Sequence, residues 1–217
     1  MTVAPECAPP GLITTLAARG VVVSAGHTNA TADQANRSFD RGITGLTHVF
    51  NAMRPLRSRD PGIAGAALTR PDVVVKVIVD GTHLADETVR LVWACAGGRV
   101  ALITDAMAAA GSVDGRYKLG SLEVAVVDGV ARLAGPDGDP GPIAGSTLTL
   151  DRALQGATQA CGLSLRAAVT ALTWVPARVL GLEGRLGRLT PGYAADAVLL
   201  SGAGQVQAAW GAGRRLA

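Results

Sequence analysis

The chain has 217 residues, 48% of them hydrophobic and only 3% aromatic, and a net charge of +3 carried by scattered arginines. That length and composition suit a packed α/β core and exclude a disordered chain. The positive charge forms no stripe and no aromatic-interleaved patch, which excludes a nucleic-acid partner, and no apolar run approaches the roughly 18 residues of a membrane span.

The N-terminus, MTVAPECAPPGL, has no basic region followed by an apolar stretch and is not a signal peptide. Cys7, Cys95 and Cys161 are far apart and odd in number, which argues against a disulfide framework or a thiolate zinc site and favours a reducing, cytoplasmic compartment.

Five short β-branched runs recur in chain order: TVAPE (2–6), VVVSAGH (21–27), GLTHVFNA (45–52), VVVKVIVDGTH (73–83) and VALITDA (100–106). Their starts fall roughly 20 to 28 residues apart, the repeat of successive βα units. They are apolar throughout, as expected of parallel strands covered on both faces. Between them lie helical stretches. Thr28 or Asn29 can cap TADQANRSFDRG, which Gly42 ends. Asp86 can open ETVRLVWACAGG, with Leu91, Val92 and Cys95 facing inward and Gly97–Gly98 closing it.

After Gly111 the rhythm changes. YKLGSLEVAVVDGVARLAG reads as two alternating strands around the Asp128–Gly129 turn, and PDGDPGP (136–142) as a loop. Helical patterns run from about Thr149 to Gly162 and from Ser164 through Leu180, and the tail AADAVLLSGAGQVQAAWGAGRRL is a hairpin-like pair of short strands.

Polar groups gather at the ends of the apolar runs. Glu6, His27, His48, His83 and Asp105 each close one, and these three histidines are all that the chain contains. In a parallel α/β barrel such ends converge on the face where active sites are built, and adjacent strand ends are a rigid frame for metal ligation. His27 and His48 are therefore candidate metal or catalytic residues. Asp105 is either an acidic cap on the following turn or a general base beside a metal-activated water.

The motifs GHTNAT, THVFNAM, RSRDPGIAGAAL, DGTH, ITDAMAAAG, AGSTLTL and WVPARVLGL with GRLTPGYAADAVLL occur in that order. Together they resemble the C-terminal part of the N-acetylglucosamine-6-phosphate deacetylase family of the amidohydrolase superfamily, over nearly the whole chain. The resemblance implies an incomplete TIM-like (β/α)8 barrel, about the fourth to eighth βα units, over 1–182 with a β-hairpin insertion near 116–135. Residues 183–217 would then supply strands of a small β-sandwich domain. It also implies one divalent metal per subunit, zinc or iron, with His27 and His48 as two of its protein ligands and Asp105 as the catalytic acid/base. Asn51 and Ala52 resemble a segment that binds sugar and phosphate, and Arg59 an arginine that binds the 6-phosphate, with Arg54 and Arg57 as competitors for that role. His83 resembles a substrate-contacting histidine, and Ile143, Ala144 and Gly145 a backbone segment closing over the sugar. The implied activity is hydrolysis of the acetamide of N-acetylglucosamine 6-phosphate to glucosamine 6-phosphate and acetate, in a homodimer.

The chain departs from that family at its start. TVAPE resembles the fourth barrel strand, so five of eight strands are expected, and TVAPE reads as continuing a strand of a longer reading frame. The family's metal-ligand carboxylate and carbonyl-polarising histidine belong to earlier strands; Glu6 matches neither and is expected either to be structural or to support the site residues from behind. The open edges predict a chain prone to instability or aggregation alone. Two rival readings remain. One is another amidohydrolase of the deaminase or dihydroorotase kind, which would use an HxH pair and often a carboxylated lysine; the chain has no HxH pair, and its only lysines are Lys76 and Lys118. The other is a non-catalytic remnant that folds partially or only with a complementing N-terminal fragment.

Overall fold

The structure, a computed structural model, describes residues 1–135 and 140–216. The apolar runs form strands β1 (Thr2–Val3), β2 (Val23–Ala25), β3 (Ile43–Leu46), β4 (Val74–Val77) and β5 (Val100–Leu102), all parallel and hydrogen-bonded in sequence order. Helices α1 (Leu12–Ala18), α2 (Ala32–Phe39), α3 (Gly62–Thr69) and α4 (Asp86–Ala96) occupy the crossovers. A sheet that advances one strand at a time without reversing winds in one direction, as a segment of a (β/α)8 barrel does; a doubly wound sheet reverses at a switch point.

One face of the sheet carries the main core. Val23, Ala25, Ile43, Leu46, Val75, Val77, Val100 and Leu102 pack against Ala35, Phe39, Ile63, Ala67, Val89 and Val92 of the helices. Each fully buried Val, Ile or Leu contributes about 1.5–3 kcal/mol. The opposite face is more polar. Lys76 alternates with Val75 and Val77, so it points there, and its Nζ donates to Ser24 Oγ at 2.8 Å. That contact crosses β3 at Gly45, where a Cβ would lie 2.7 Å from Ser24 Oγ.

Arg99, just before β5, is 9% exposed. Its Nη1 donates to the carbonyls of Ala67 and Val73 (3.0 and 2.6 Å), and its Nη2 to that of Leu68 at 2.5 Å. Ala67 and Leu68 belong to the last turn of α3, where Ala67 O also accepts from the Arg70 N–H, and Val73 precedes β4, so the guanidinium ties the helix end to the start of the strand.

Several local expectations are corrected. α2 is capped by Thr31, not Thr28 or Asn29, through a reciprocal box with Gln34. Thr28 and Asn29 are occupied elsewhere, donating to Glu6. α4 buries Val89, Val92 and Ala96, whereas Leu91 and Cys95 face solvent. The expected hairpin is a four-stranded antiparallel sheet: β6 (Gly115–Leu119), β7 (Leu122–Val127), β8 (Val130–Ala134) and β9 (Pro140–Ile143). Its β7–β8 turn does lie at Asp128–Gly129, both at positive φ (51° and 73°), the backbone of a two-residue type I′ turn. Of the PDGDPGP loop, 136–139 lie outside the described residues, and Pro140–Pro142 belong to β9.

Downstream, α5 (Leu150–Gln155) continues as a π-helical turn, Gly156–Ala160. The next helical pattern divides at Thr173 into α6 (Leu165–Leu172) and α7 (Trp174–Val179). Pro176 lacks the N–H that an unbroken helix would donate to Leu172. The tail holds three strands, β10 (Ala197–Leu200), β11 (Val206–Gly211) and β12 (Arg214–Arg215), in place of an expected pair. No described helix is long and apolar enough to cross a membrane.

Candidate active site

The residues that end the parallel strands share an uncommon backbone state. His27, His48 and Asp105 have φ of 47°, 30° and 51°, and Phe50 and Ala52, just past β3, have 72° and 49°. Left-handed conformations in non-glycine residues cost on the order of 1 kcal/mol or more each and cluster where function constrains the chain. The other two such residues described, Asp128 and Ala212, sit at hairpin turns.

His27 and His48 meet. Their Nε2 atoms are 3.0 Å apart, and the rings stand edge to face at 80° with centroids 4.7 Å apart. Two imidazoles bound to one tetrahedral zinc would hold their ligating nitrogens roughly 3.3 Å apart, given bonds of about 2.05 Å. The pair thus fits as two ligands of a common cation. His48 is buried, and its Nδ1 is buried without a hydrogen-bond partner. Burial lowers its pKa, and the Asp105 charge works in the opposite direction. The net effect favours the neutral ring that ligation needs. Among the described residues no three His, Cys, Asp or Glu side chains come together as a complete ligand set.

Glu6 braces this region. Its carboxylate accepts from the Thr28 hydroxyl (2.5 Å) and the Asn29 N–H (2.6 Å), immediately after His27. Burial works to raise its pKa, but those donors outweigh it and hold the carboxyl below its ordinary range. Thr28 N–H donates to the Ala52 carbonyl, and Arg54 N–H to that of Thr28, so the loops after β2 and β3 are stitched together. Asn51 follows the His48 turn; its N–H donates to His48 O and its side-chain amide to Val49 O.

The three competing arginines differ. Arg54 is committed to a carboxylate: its Nε donates to both oxygens of Asp60 (3.0 and 2.8 Å), and its Nη2 lies 2.7 Å from Asp60 Oδ2. Arg57 and Arg59 are exposed, with Arg57 pairing its backbone to that of Asp60. Arg59 stands on that exposed loop.

Asp105 is exposed at the end of β5, and its carbonyl accepts from Ser146 N–H at 2.8 Å. The chain returning from the inserted sheet is therefore held beside it, which brings Ile143, Ala144 and Gly145 to the Asp105 turn. Gly145 has φ 66°, and a Cβ there would stand 3.2 Å from the Asp105 carbonyl.

His83 sits in a small crevice between the loop after β4 and the inserted sheet, lined also by Thr82, Ile143, Gly145 and Thr147. Asp80 was not singled out by sequence reasoning. It takes the His83 Nδ1 on one oxygen at 2.7 Å and the N–H groups of Thr82 and His83 on the other, at 2.9 and 2.8 Å. Burial acts to raise the Asp80 pKa, and these contacts bring it below the usual carboxylate value. The Asp-x-x-His spacing within DGTH was the available signal, since an Asp side chain in a turn commonly accepts from the next backbone N–H groups.

Residues 16–215 match the amidohydrolase family. The chain is 41% identical over 192 residues to an N-acetylgalactosamine-6-phosphate deacetylase of Escherichia coli O157:H7, an overlap of 88% of this chain and 50% of that protein. It superposes on the crystal structure of N-acetylglucosamine-6-phosphate deacetylase from Pasteurella multocida with a TM-score of 0.93 at 28% identity, covering 100% of this chain and 56% of that one. A mutant N-acetyl-D-glucosamine-6-phosphate deacetylase from Mycobacterium smegmatis, solved in complex with N-acetyl-D-glucosamine-6-phosphate, gives a TM-score of 0.90 at 43% identity, covering 99% of this chain and 56% of that one. The chain thus spans about half the length of these relatives.

Proposed function

The chain belongs to the amidohydrolase family, and on that footing we propose that it carries the catalytic portion of a metal-dependent deacetylase acting on N-acetylglucosamine 6-phosphate. The observation that carries the proposal is the meeting of His27 and His48 at adjacent parallel strand ends, with their Nε2 atoms 3.0 Å apart.

In this proposal His27 and His48 would hold a divalent metal, zinc or iron, which when bound would supply Lewis acidity for a water near neutral pH. Asp105 accepts the proton of the water that adds to the acetamide carbonyl. It then delivers that proton to the amine nitrogen as the C–N bond breaks, releasing acetate and glucosamine 6-phosphate. Asn51, the Ala52 N–H and Arg59 bind the sugar and its phosphate; a guanidinium fork suits the dianion. His83 and the segment Ile143, Ala144 and Gly145 bound the sugar from the other side. The proposal includes a homodimer, a cytoplasmic location and a division into a barrel portion at 1–182 and small-domain strands from 183.

The E. coli relative supports a second substrate, the 6-phosphate of N-acetylgalactosamine. The lack of a third ligand beside the described histidine pair supports a second state, in which turnover needs a complementing polypeptide. Acetate release from both phosphosugars, measured beside zinc and iron content on the purified chain, tests all of these. Tight stoichiometric metal with turnover removes the fragment reading. If a version extended to the length of those relatives also releases no acetate from either sugar, the deacetylase proposal fails.

A further inference from the structure

We propose that Asp80 is a positioning residue that holds His83 as the Nδ1–H tautomer, leaving Nε2 as an open hydrogen-bond acceptor in the crevice beside Gly145. The geometry assigns each atom a role. The Asp80 carboxylate is split between two tasks: Oδ1 accepts from the backbone N–H groups of Thr82 and His83, and Oδ2 lies 2.7 Å from His83 Nδ1. An ionised carboxylate has no proton to give, so a neutral ring must place its own proton on Nδ1. The two backbone donors fix the carboxylate plane, and that plane in turn fixes the ring.

The consequence falls on Nε2. The His83 side chain is only 6% exposed, yet Nε2 is not among the buried side-chain atoms left without a partner, and it makes no hydrogen bond among the described residues. It therefore opens to solvent in the crevice that His83 lines with Ile143, Gly145 and Thr147. A neutral ring with its proton on Nδ1 presents a lone pair there, which pairs with a donor and repels the oxygen of an anion. His83 would thus read a hydroxyl of the substrate and leave the phosphate to other groups. Naming that hydroxyl as one on a sugar rests on the deacetylase proposal above; the tautomer does not.

Nitrogen-15 NMR of the full chain, labelled at histidine and recorded above neutral pH without substrate, reads the tautomer. Three histidines give three ring systems, and the His83→Gln spectrum identifies the third. The expected His83 pattern is a protonated-type Nδ1, an unprotonated-type Nε2, and a downfield Nδ1–H proton protected from exchange. A ring protonated on Nε2 overturns the proposal. In Asp80→Asn, Thr82 N–H and His83 N–H would claim the amide oxygen and turn the NH2 group toward Nδ1. The proton is then expected to move to Nε2, with the His27 and His48 signals unchanged. A variant that keeps the Nδ1–H pattern overturns the role of Asp80. If the variant does not fold, the downfield Nδ1–H resonance of the unaltered chain decides the matter: its absence counts against the carboxylate contact. Absence of acetate release would count against the deacetylase proposal and leave the tautomer standing.

Discussion

His48 Nε2 lies 3.0 Å from His27 Nε2, although the two residues are 21 positions apart and belong to different strands. Burial favours neutral His48, and its backbone is strained into the left-handed region. Such a pair is costly unless a cation or proton sits between the rings. His48→Ala or His27→Ala is therefore expected to weaken zinc binding beyond the roughly 10–100-fold lost with an outer-shell partner. Equilibrium dialysis against zinc checks this; unchanged affinity in either variant would remove that histidine from the ligand set.

Asp105 is held in place through its backbone, by Ser146 N–H on its carbonyl. Its carboxylate can therefore change without dismantling the turn. Asp105→Asn is expected to cut acetate release by roughly 100- to 10,000-fold while leaving bound metal unchanged. Acetate assay beside metal analysis separates the outcomes, and loss of metal would contradict the acid/base role.

Much of this site was legible because its signals are local. A continuous apolar run ended by His27, His48, His83 or Asp105 marks a parallel strand and its functional end in one stretch of sequence. The contacts that arrange these residues were not legible. Glu6 meets Thr28 across 22 positions, and Ser146 meets Asp105 across the whole inserted sheet. Neither spacing has a local signature. The cap of α2 was a different case: the Thr31–Gln34 box is visible in TADQ, but Thr28 and Asn29 are equally good caps until Glu6 engages them. Helical phase misplaced Leu91 and Cys95, because an alanine- and valine-rich α4 offers several apolar stripes and only packing on the sheet selects Val89, Val92 and Ala96.

Asp80 and Glu6 both have carboxyl pKa values below their ordinary 3.8 and 4.5 in the folded chain. A carboxylate with a depressed folded pKa stabilises the fold fully above its unfolded value and loses that contribution as pH falls through the folded value. Stability is therefore expected to hold from neutral pH to near pH 4.5 and to fall below it. Thermal melts across that range check the trend. Asp80→Asn should flatten the acid limb, and an acid limb of the same steepness in the variant would show that the Asp80 contacts do not contribute.

Arg99 replaces helix-end solvation with its own donors, reaching the carbonyls of Ala67, Leu68 and Val73. Arg99→Met would leave those carbonyls facing an apolar side chain. The expected cost is roughly 3 kcal/mol, the scale of a buried charged donor lost from several acceptors. Arg99→Lys should recover only part of it, because an ammonium cannot span acceptors as a planar fork does. Urea unfolding of the two variants checks both values, and a lysine variant as stable as the parent would reduce Arg99 to a simple positive charge.

Lys76 is the contrary case, a half-buried amine whose described side-chain partner is the Ser24 hydroxyl. Burial lowers its pKa below the ordinary 10.5, so at neutral pH the charged form is the strained one. A single neutral acceptor does not offset the desolvation of an ammonium. Lys76→Met keeps the length and removes the charge, and is expected to stabilise the chain by about 1 kcal/mol. Because the folded-state pKa is depressed, that advantage should shrink as pH rises through it and the parent lysine becomes neutral. Urea unfolding at neutral and alkaline pH checks both statements. A methionine variant less stable than the parent at neutral pH would mean that this face of the sheet holds its lysine with a counter-charge, and Lys76 would then join the site residues.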